Sequence, residues 1–229
     1  MHDARIARQY EMLKSRYCED AEVEVGIDEA GRGCLWGPLM AAAVEWPAES
    51  TWSEELRAIS GQIKDSKKLS AKRRAVLETA IKEHATAWSV GRVEASEIDS
   101  LGMTKANRLA FVRALEGLGK MPGRILVDGI LPTNYGPVEI VEPGGDATYL
   151  AIAAASILAK EGRDKVVKEM CEADPGLAKY GLLSSKGYGT LVHRTAIKEH
   201  GMHLQHRRLF LRKLLGLDHT VSEDYAFQD

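Results

Sequence analysis

Asp28 and Glu29 stand next to each other in this chain. Gly31, Arg32 and Gly33 follow almost at once, and Gly37-Pro38 closes the stretch. Two adjacent carboxylates beside a glycine-rich bend with an arginine are the residue types that a divalent cation and an anionic substrate call for. Ahead of them, Val23, Val25 and Ile27 alternate with Glu22, Glu24 and Gly26, the period of a strand with one buried face. Successive side chains of a regular strand point to opposite faces. Asp28 and Glu29 are therefore expected to share a site only if the backbone leaves strand geometry there, which the glycines make cheap. The same residues would also serve as a polar turn capping a strand.

The arrangement recurs. Arg124–Val127 is a short apolar run that ends in Asp128-Gly129, and Pro143-Gly144-Gly145 leads to Asp146, at the N-cap position of an alanine-rich apolar segment. Strand carboxyl ends and helix N-termini are where α/β sheets gather ligand sites. Four carboxylates brought together repel one another and have raised pKa values, a penalty that divalent cations remove. Two Mg²⁺ ions about 3.5–4 Å apart are a known means of hydrolysing a phosphodiester. The alternative is that each aspartate caps its own turn.

The elements needed to position these groups can be read in order. Residues 3–18 have the spacing of an amphipathic helix. The opening strand and glycine bend are followed by a buried strand over Leu39–Trp46, ending at Pro47. Residues 48–63 read as loop with a short helix. Ser70 is a good N-cap for a helix to about Glu83, in which Lys72, Arg73 and Arg74 oppose the helix dipole. Thr86–Val93 alternates as a strand, Ser96 caps a short helix, and a longer helix spans Met103–Leu118. Val138–Val141 is a short strand, and Ala147–Lys160 begins a helix that continues to about Ala173. Asp174-Pro175-Gly176 breaks that helix. Ser184–Thr190 is a loop with Tyr188 between glycines, and helices over 190–200 and 206–215 complete the chain before a frayed tail at 217–229. Strands alternating with helices predict an α/β domain followed by a smaller helical lobe.

The chain has 229 residues, 45% hydrophobic and 28% charged, with a net charge of −2, which excludes a protein that coats nucleic acid by bulk charge. Charge is instead local: Lys160–Lys213 holds twelve Lys or Arg against six Asp or Glu, the pattern of one face that meets phosphates or of solvated helices. Arg207 and Arg208 are expected to hold a duplex backbone. Cys18, Cys34 and Cys171 have neither disulfide nor zinc spacing and read as reduced thiols. His193, His200, His203 and His206 are irregularly spaced and read as surface or phosphate-contacting groups. No apolar run is long enough for a bilayer, and the N-terminus lacks a signal-peptide core, so a cytoplasmic protein with no membrane association is expected.

Taken together, the motifs resemble one family. Gly26–Gly33 (Gly-Ile-Asp-Glu-Ala-Gly-Arg-Gly) resembles the signature of ribonuclease HII, the type 2 ribonucleases H. Asp65–Ser70 resembles that family's Asp-Ser-Lys-Lys-Leu-Ser segment, and Ile125–Gly129 its second aspartate strand. Gly145–Lys160 with Arg163-Asp164 resembles its third aspartate segment, and Lys186–Thr190 its lysine-glycine-tyrosine loop. The matches run in order over about residues 22–210. The resemblance implies a ribonuclease H-like mixed central sheet flanked by helices over residues 1–172, with a helical substrate-binding lobe and acidic tail over 173–229. It implies Mg²⁺- or Mn²⁺-dependent cleavage of RNA in RNA–DNA hybrids, cutting 5′ to single ribonucleotides in duplex DNA, by a protein expected to be a monomer. By motif position Asp28, Glu29, Asp128 and Asp146 become the metal-binding catalytic carboxylates. Gly31, Arg32 and Gly33 become readers of the ribose 2′-OH, with Tyr188 stacking on the adjacent sugar. Lys67, Ser156, Lys160 and Arg163 become substrate contacts. Two positions depart from the family pattern: Gly145 replaces a lysine or arginine, and Leu209 interrupts the late His-Arg-Arg-Ser-Phe motif. A junction-resolving nuclease of the same superfamily would share the acidic site without needing Gly-Arg-Gly. A non-catalytic hybrid binder would avoid setting four carboxylates against phosphates.

Overall fold

The computed structural model describes residues 12–216 except Pro137. Five strands form one sheet: β1 Glu24–Ala30, β2 Leu39–Glu45, β3 Ala87–Val93, β4 Arg124–Asp128 and β5 Glu139–Glu142. Their order is β3-β2-β1-β4-β5. The first three pair antiparallel, and β1, β4 and β5 pair parallel, so the sheet is mixed, as the sequence predicts. The helices are α1 Glu54–Ser60, α2 Ala71–His84, α3 Ala95–Leu101, α4 Met103–Glu116, α5 Leu150–Ala173, α6 Leu182–Ser185, α7 Leu191–His200 and α8 Arg208–Leu215.

Each face of the sheet has its own core. Ala42 and Val44 pack with Leu77 and Ile81 of α2 and with the alanine-rich start of α5. On the other face Val25, Ile27, Ala41 and Ala43 pack with Ala106, Ala110, Phe111 and Ala114 of α4. Small side chains let these helices lie close to the sheet. At Gly26 an added Cβ would sit 2.3 Å from the Ala151 carbonyl carbon; only glycine fits under α5 there.

Beyond α5 the chain builds a smaller helical layer whose core joins Leu177, Tyr180, Leu182, Ala196, Ile197 and Leu211 to Trp36 of the glycine bend and Val167 of α5. Side-chain caps begin α7, where Thr190 accepts from the His193 amide, and the 3-10 segment Pro175–Tyr180, where Asp174 accepts from the Gly176 amide.

Several sequence expectations are corrected. Residues 3–11 of the expected first helix and the tail at 217–229 lie outside the described residues. Residues 12–18 are not helical: Lys14 instead bridges Tyr149 in a strand-like pairing. Glu94, not Ser96, caps α3, in a reciprocal capping box with Glu97. Asp146 is not an N-cap: it lies within a single 3-10 turn, Gly145–Ala147, and α5 starts only at Leu150. Ser184 and Ser185, the start of the loop expected over 184–190, belong to a helical turn, Leu182–Ser185.

Candidate active site

β1 and β4 run parallel, with Ile27 beside Val127. The next residue on each strand is a carboxylate, so Asp28 and Asp128 leave the sheet side by side at its carboxyl edge. β1 does not break at Asp28–Glu29, contrary to the sequence argument: Asp28 and Glu29 pair in register with Ala42 and Ala41. They point to opposite faces, Asp28 toward Ser156 on α5 and Glu29 toward the Asn107 amide on α4. Both still feel the charge of Asp128. The third acidic segment is attached through Asp128, whose Oδ1 accepts from the Gly145 amide at 2.8 Å. That bond holds the turn carrying Asp146 against the end of β4.

The electrostatics are those of crowded acids. Burial pushes the Asp28 carboxyl well above the usual range, and Glu29 and Asp128 add to the shift. Burial also raises Glu29, with Arg32 opposing and Asp128 reinforcing it. Asp146 is raised by burial and by Asp128 and Asp65. Lys67 reaches this group, its Nζ 3.8 Å from Asp146 Oδ2. Partial burial works against its charge, but Asp146, Asp65, Asp28 and Asp128 together raise its pKa.

Among the described residues, no three Asp, Glu, His or Cys side chains enclose a cation as they stand. The chemistry of the site nevertheless fits one. Its donors are carboxylate oxygens, which suit Mg²⁺ or Mn²⁺. Asp146 Oδ2 is buried with no hydrogen-bond partner, an acceptor that a divalent ion would satisfy.

The remaining expected residues divide into two groups. Gly33 and Tyr188 reach the surface and Arg32 partly does, whereas Gly31 is buried against Arg163. Arg32 lies 3.7 Å from Glu29, Tyr188 is 44% exposed, and Cys34 Sγ donates to the Lys186 carbonyl at the start of the Tyr188 loop. Ser156 is buried beside Asp28 and 2.9 Å from Ser66 Oγ. Lys160 is ion-paired with Asp164 on its own helix.

Arg163 and Arg207 are corrections. Arg163 is 1% exposed and donates to the carbonyls of Pro38, Trp36 and Lys186. Its Nε would be 2.0 Å from any Cβ at Gly31, which has a φ of +89°, so glycine is required there by both space and conformation. Arg207 is fully buried and donates to the carbonyls of Gly37, Gly31 and Arg32. Burial pulls its pKa down to about 10. Neither guanidinium reaches solvent; together they fix the glycine bend from below. Two of the four histidines expected at the surface are also corrected: His193 and His206 are buried, while His200 is exposed and His203 half-buried.

Asp65, Ser66 and Asn107 were not singled out in the sequence. Asp65 adds to the raised pKa of Asp146 and accepts from the Lys67 amide, and its motif was already in view. Asn107 lies mid-helix, where no local signal marks it.

A mixed sheet with acidic side chains gathered at the carboxyl ends of its parallel strands defines a metal-dependent hydrolase of the ribonuclease H type. The ribonuclease HII family model matches residues 25–213, and the chain belongs to the ribonuclease HII family. Members of this family cleave the RNA strand of RNA–DNA hybrids. The ribonuclease HII of Synechococcus sp. (strain CC9902) is 44% identical over 192 residues, covering 83% of this chain and 93% of that one. The crystal structure of ribonuclease H2 from Pyrococcus horikoshii OT3 has a TM-score of 0.67 at 30% identity, covering 84% of this chain and 97% of that one. The structure of Bst-RNase HIII in complex with Mn²⁺, 22% identical, shares the fold with a TM-score of 0.60, over 82% of this chain and 64% of that one.

Proposed function

We propose that this chain hydrolyses the RNA strand of RNA–DNA hybrids and also cuts 5′ to a single ribonucleotide in duplex DNA, leaving 3′-OH and 5′-phosphate ends. The observation that carries the reading is the convergence of Asp28, Asp128 and the Asp146 turn at one sheet edge, a short chain distance from the Gly31–Gly33 bend. Asp28, Glu29, Asp128 and Asp146 would hold two divalent ions, Mg²⁺ or Mn²⁺. Bound there, they supply Lewis-acid chemistry for in-line phosphodiester hydrolysis. The protein's own groups do the positioning. Lys67, mostly exposed beside Asp146, offers a mobile cation to a phosphate. The 2′-OH is the group that distinguishes RNA from DNA at a given nucleotide, and Gly31 and Gly33 bring backbone close to it while Arg32 faces the adjoining phosphate. Tyr188, exposed on the neighbouring loop, stacks on the next sugar. The helical layer after α5 contributes Tyr188 to the substrate cleft. We also propose that the chain acts as a cytoplasmic monomer; among the described residues no helix is long and apolar enough to cross a membrane.

The decisive assay uses a DNA duplex with one ribonucleotide. The expected result is a cut 5′ to the ribonucleotide in Mg²⁺ or Mn²⁺, abolished by EDTA and restored by excess metal. Cleavage that persists in EDTA overturns the metal-dependent reading, and cleavage of hybrids alone overturns the single-ribonucleotide reading.

A further inference from the structure

The segment 205–207 bonds the glycine bend directly and reaches the Tyr188 loop through His193. Its backbone bonds the glycine bend, with the Gly37 amide donating to the Gln205 carbonyl at 2.9 Å and the Arg207 amide to the Leu35 carbonyl at 2.8 Å. The Leu35 amide in turn donates to the Gly187 carbonyl at 2.9 Å. The Arg207 guanidinium holds the Gly31 and Arg32 carbonyls. On its other side His206 meets His193, the two Nε2 atoms 3.0 Å apart, and His193 Nδ1 lies 2.9 Å from the Tyr188 carbonyl oxygen.

The proton positions in this chain follow from its ends. His206 Nδ1 lies 2.7 Å from the His203 backbone amide, which can only donate. A neutral His206 must therefore carry its proton on Nε2 and donate to His193 Nε2. That leaves the His193 proton on Nδ1, aimed at the Tyr188 carbonyl, which can only accept. One pair of tautomers satisfies every contact. Charging either ring would set two N–H groups head to head. His193 and His206 are 0% and 2% exposed, Tyr180 packs edge-on against His206 at 4.9 Å, and burial lowers the pKa of both rings, so both are held neutral. The Thr190 amide also donates to the Tyr188 carbonyl, so the His193 bond sets the direction of a carbonyl that is already anchored.

We propose that His193 and His206, locked as the Nδ1–H and Nε2–H tautomers, are positioning residues that set the Tyr188 loop against the Gly31–Arg32 bend and so govern discrimination at a lone ribonucleotide. The proposal rests on the reading of Gly31, Arg32, Gly33 and Tyr188 as the ribose reader.

Two substitutions separate the two bonds of His193. In His193→Asn the amide stands where Nδ1 was and keeps a donor toward Tyr188. In His193→Gln it stands where Nε2 was, keeping an acceptor for His206 and losing the Tyr188 bond. The measured quantity is kcat/KM on a single-ribonucleotide duplex divided by kcat/KM on a long hybrid. His193→Gln is expected to lower this ratio about tenfold, the equivalent of one hydrogen bond, and His193→Asn to keep it within about twofold of wild type. A merely structural role would reduce both substrates by the same factor, and equal losses overturn the proposal. Tyr188→Ala is the control. If it lowers the ratio and His193→Gln does not, the positioning role falls and the ribose reader stands; if Tyr188→Ala leaves the ratio unchanged, both fall. Long-range ¹H–¹⁵N NMR of the full chain without substrate tests the lock itself. The expected spectrum has His193 protonated on Nδ1 and His206 on Nε2, and the opposite tautomers overturn it whatever the variants do.

Discussion

Asp28 owes its chemistry to where it sits. Its carboxyl is buried between Glu29 and Asp128, and the raised pKa makes its ionised form a cost to the folded chain. A carboxyl whose pKa is raised on folding stabilises below its unfolded value and loses that contribution as pH rises through the folded one. At neutral pH without metal, Asp28→Asn should therefore raise Tm, by roughly 2–4 °C for each kcal/mol of repulsion relieved. The same substitution, and Asp128→Asn, should lower kcat/KM by roughly a thousandfold, since a metal-polarised phosphodiester depends on several kcal/mol of charge stabilisation. Calorimetry in EDTA and a cleavage assay in Mg²⁺ measure the two effects on one protein. A folded Asp28→Asn variant with near wild-type turnover removes Asp28 from the site. Tyr188 is a second residue-scale case. Tyr188→Ala should weaken cutting at a lone ribonucleotide more than cutting in a hybrid tract, because a tract offers many registers and a single ribonucleotide one. Equal losses on the two substrates would reduce Tyr188 to loop packing.

At the scale of elements, the site is a set of backbone junctions. The ends of β1 and β4 bring two carboxylates together, the Gly145 amide ties the Asp146 turn to Asp128, and two buried arginines fasten the bend after β1. Arg163 from α5 and Arg207 just before α8 each satisfy three carbonyls of loops that have no regular structure of their own. Removing Arg207 takes a guanidinium donor from three carbonyls of the glycine bend, of which that of Gly31 also accepts from the Cys34 amide. Arg207→Ala should lower unfolding stability by roughly 3 kcal/mol, which corresponds to about 6–12 °C in Tm. The salt dependence of binding to a non-cleavable hybrid in Ca²⁺ should keep its wild-type slope in any folded fraction, because a buried guanidinium displaces no counterion from phosphate. A shallower slope with unchanged Tm would return Arg207 to the surface role expected from its sequence.

At the scale of the whole molecule, the helical layer after α5 is joined to the sheet domain through a core that titrates. Burial holds His206 at a pKa of about 3, against about 6.5 in the unfolded chain. A histidine whose pKa is depressed on folding contributes stability that is complete above the unfolded value and is lost as pH falls toward the folded one. Between pH 7 and pH 5 this should cost the fold roughly 2 kcal/mol. Asp28 acts with the opposite sign in the same window, so wild type alone does not isolate the effect. The difference in Tm between wild type and His206→Gln does: it should shrink on acidification, because the variant has no proton to take up. A pH-independent difference would mean that His206 stays neutral in the unfolded chain too, or charged in the folded one.

The sequence by itself determined the chemistry on offer and the elements that carry it. Alternation over residues 22–27 and a short apolar run over 124–127 marked the two strands that carry Asp28 and Asp128, Ser70 and Thr190 marked helix starts, and the order of five short motifs was enough to expect the family and a mixed sheet. These are local properties, set by side-chain period, capping and turn-forming residues, and a chain exposes them in its order of residues. Three things depended on tertiary structure. That Asp28 and Glu29 both feel Asp128 while β1 stays regular follows from their position beside the end of β4, a parallel neighbour one hundred residues away. Asn107 joined the site only because α4 lies under Glu29. The fate of Arg163, Arg207, His193 and His206 was the largest change: their types resemble a solvent-facing, phosphate-binding set, and burial turned them into the internal fastening of the glycine bend and the Tyr188 loop. Whether a long polar side chain meets water or a cluster of carbonyls depends on what the rest of the chain packs over it, and no short window of sequence contains that information.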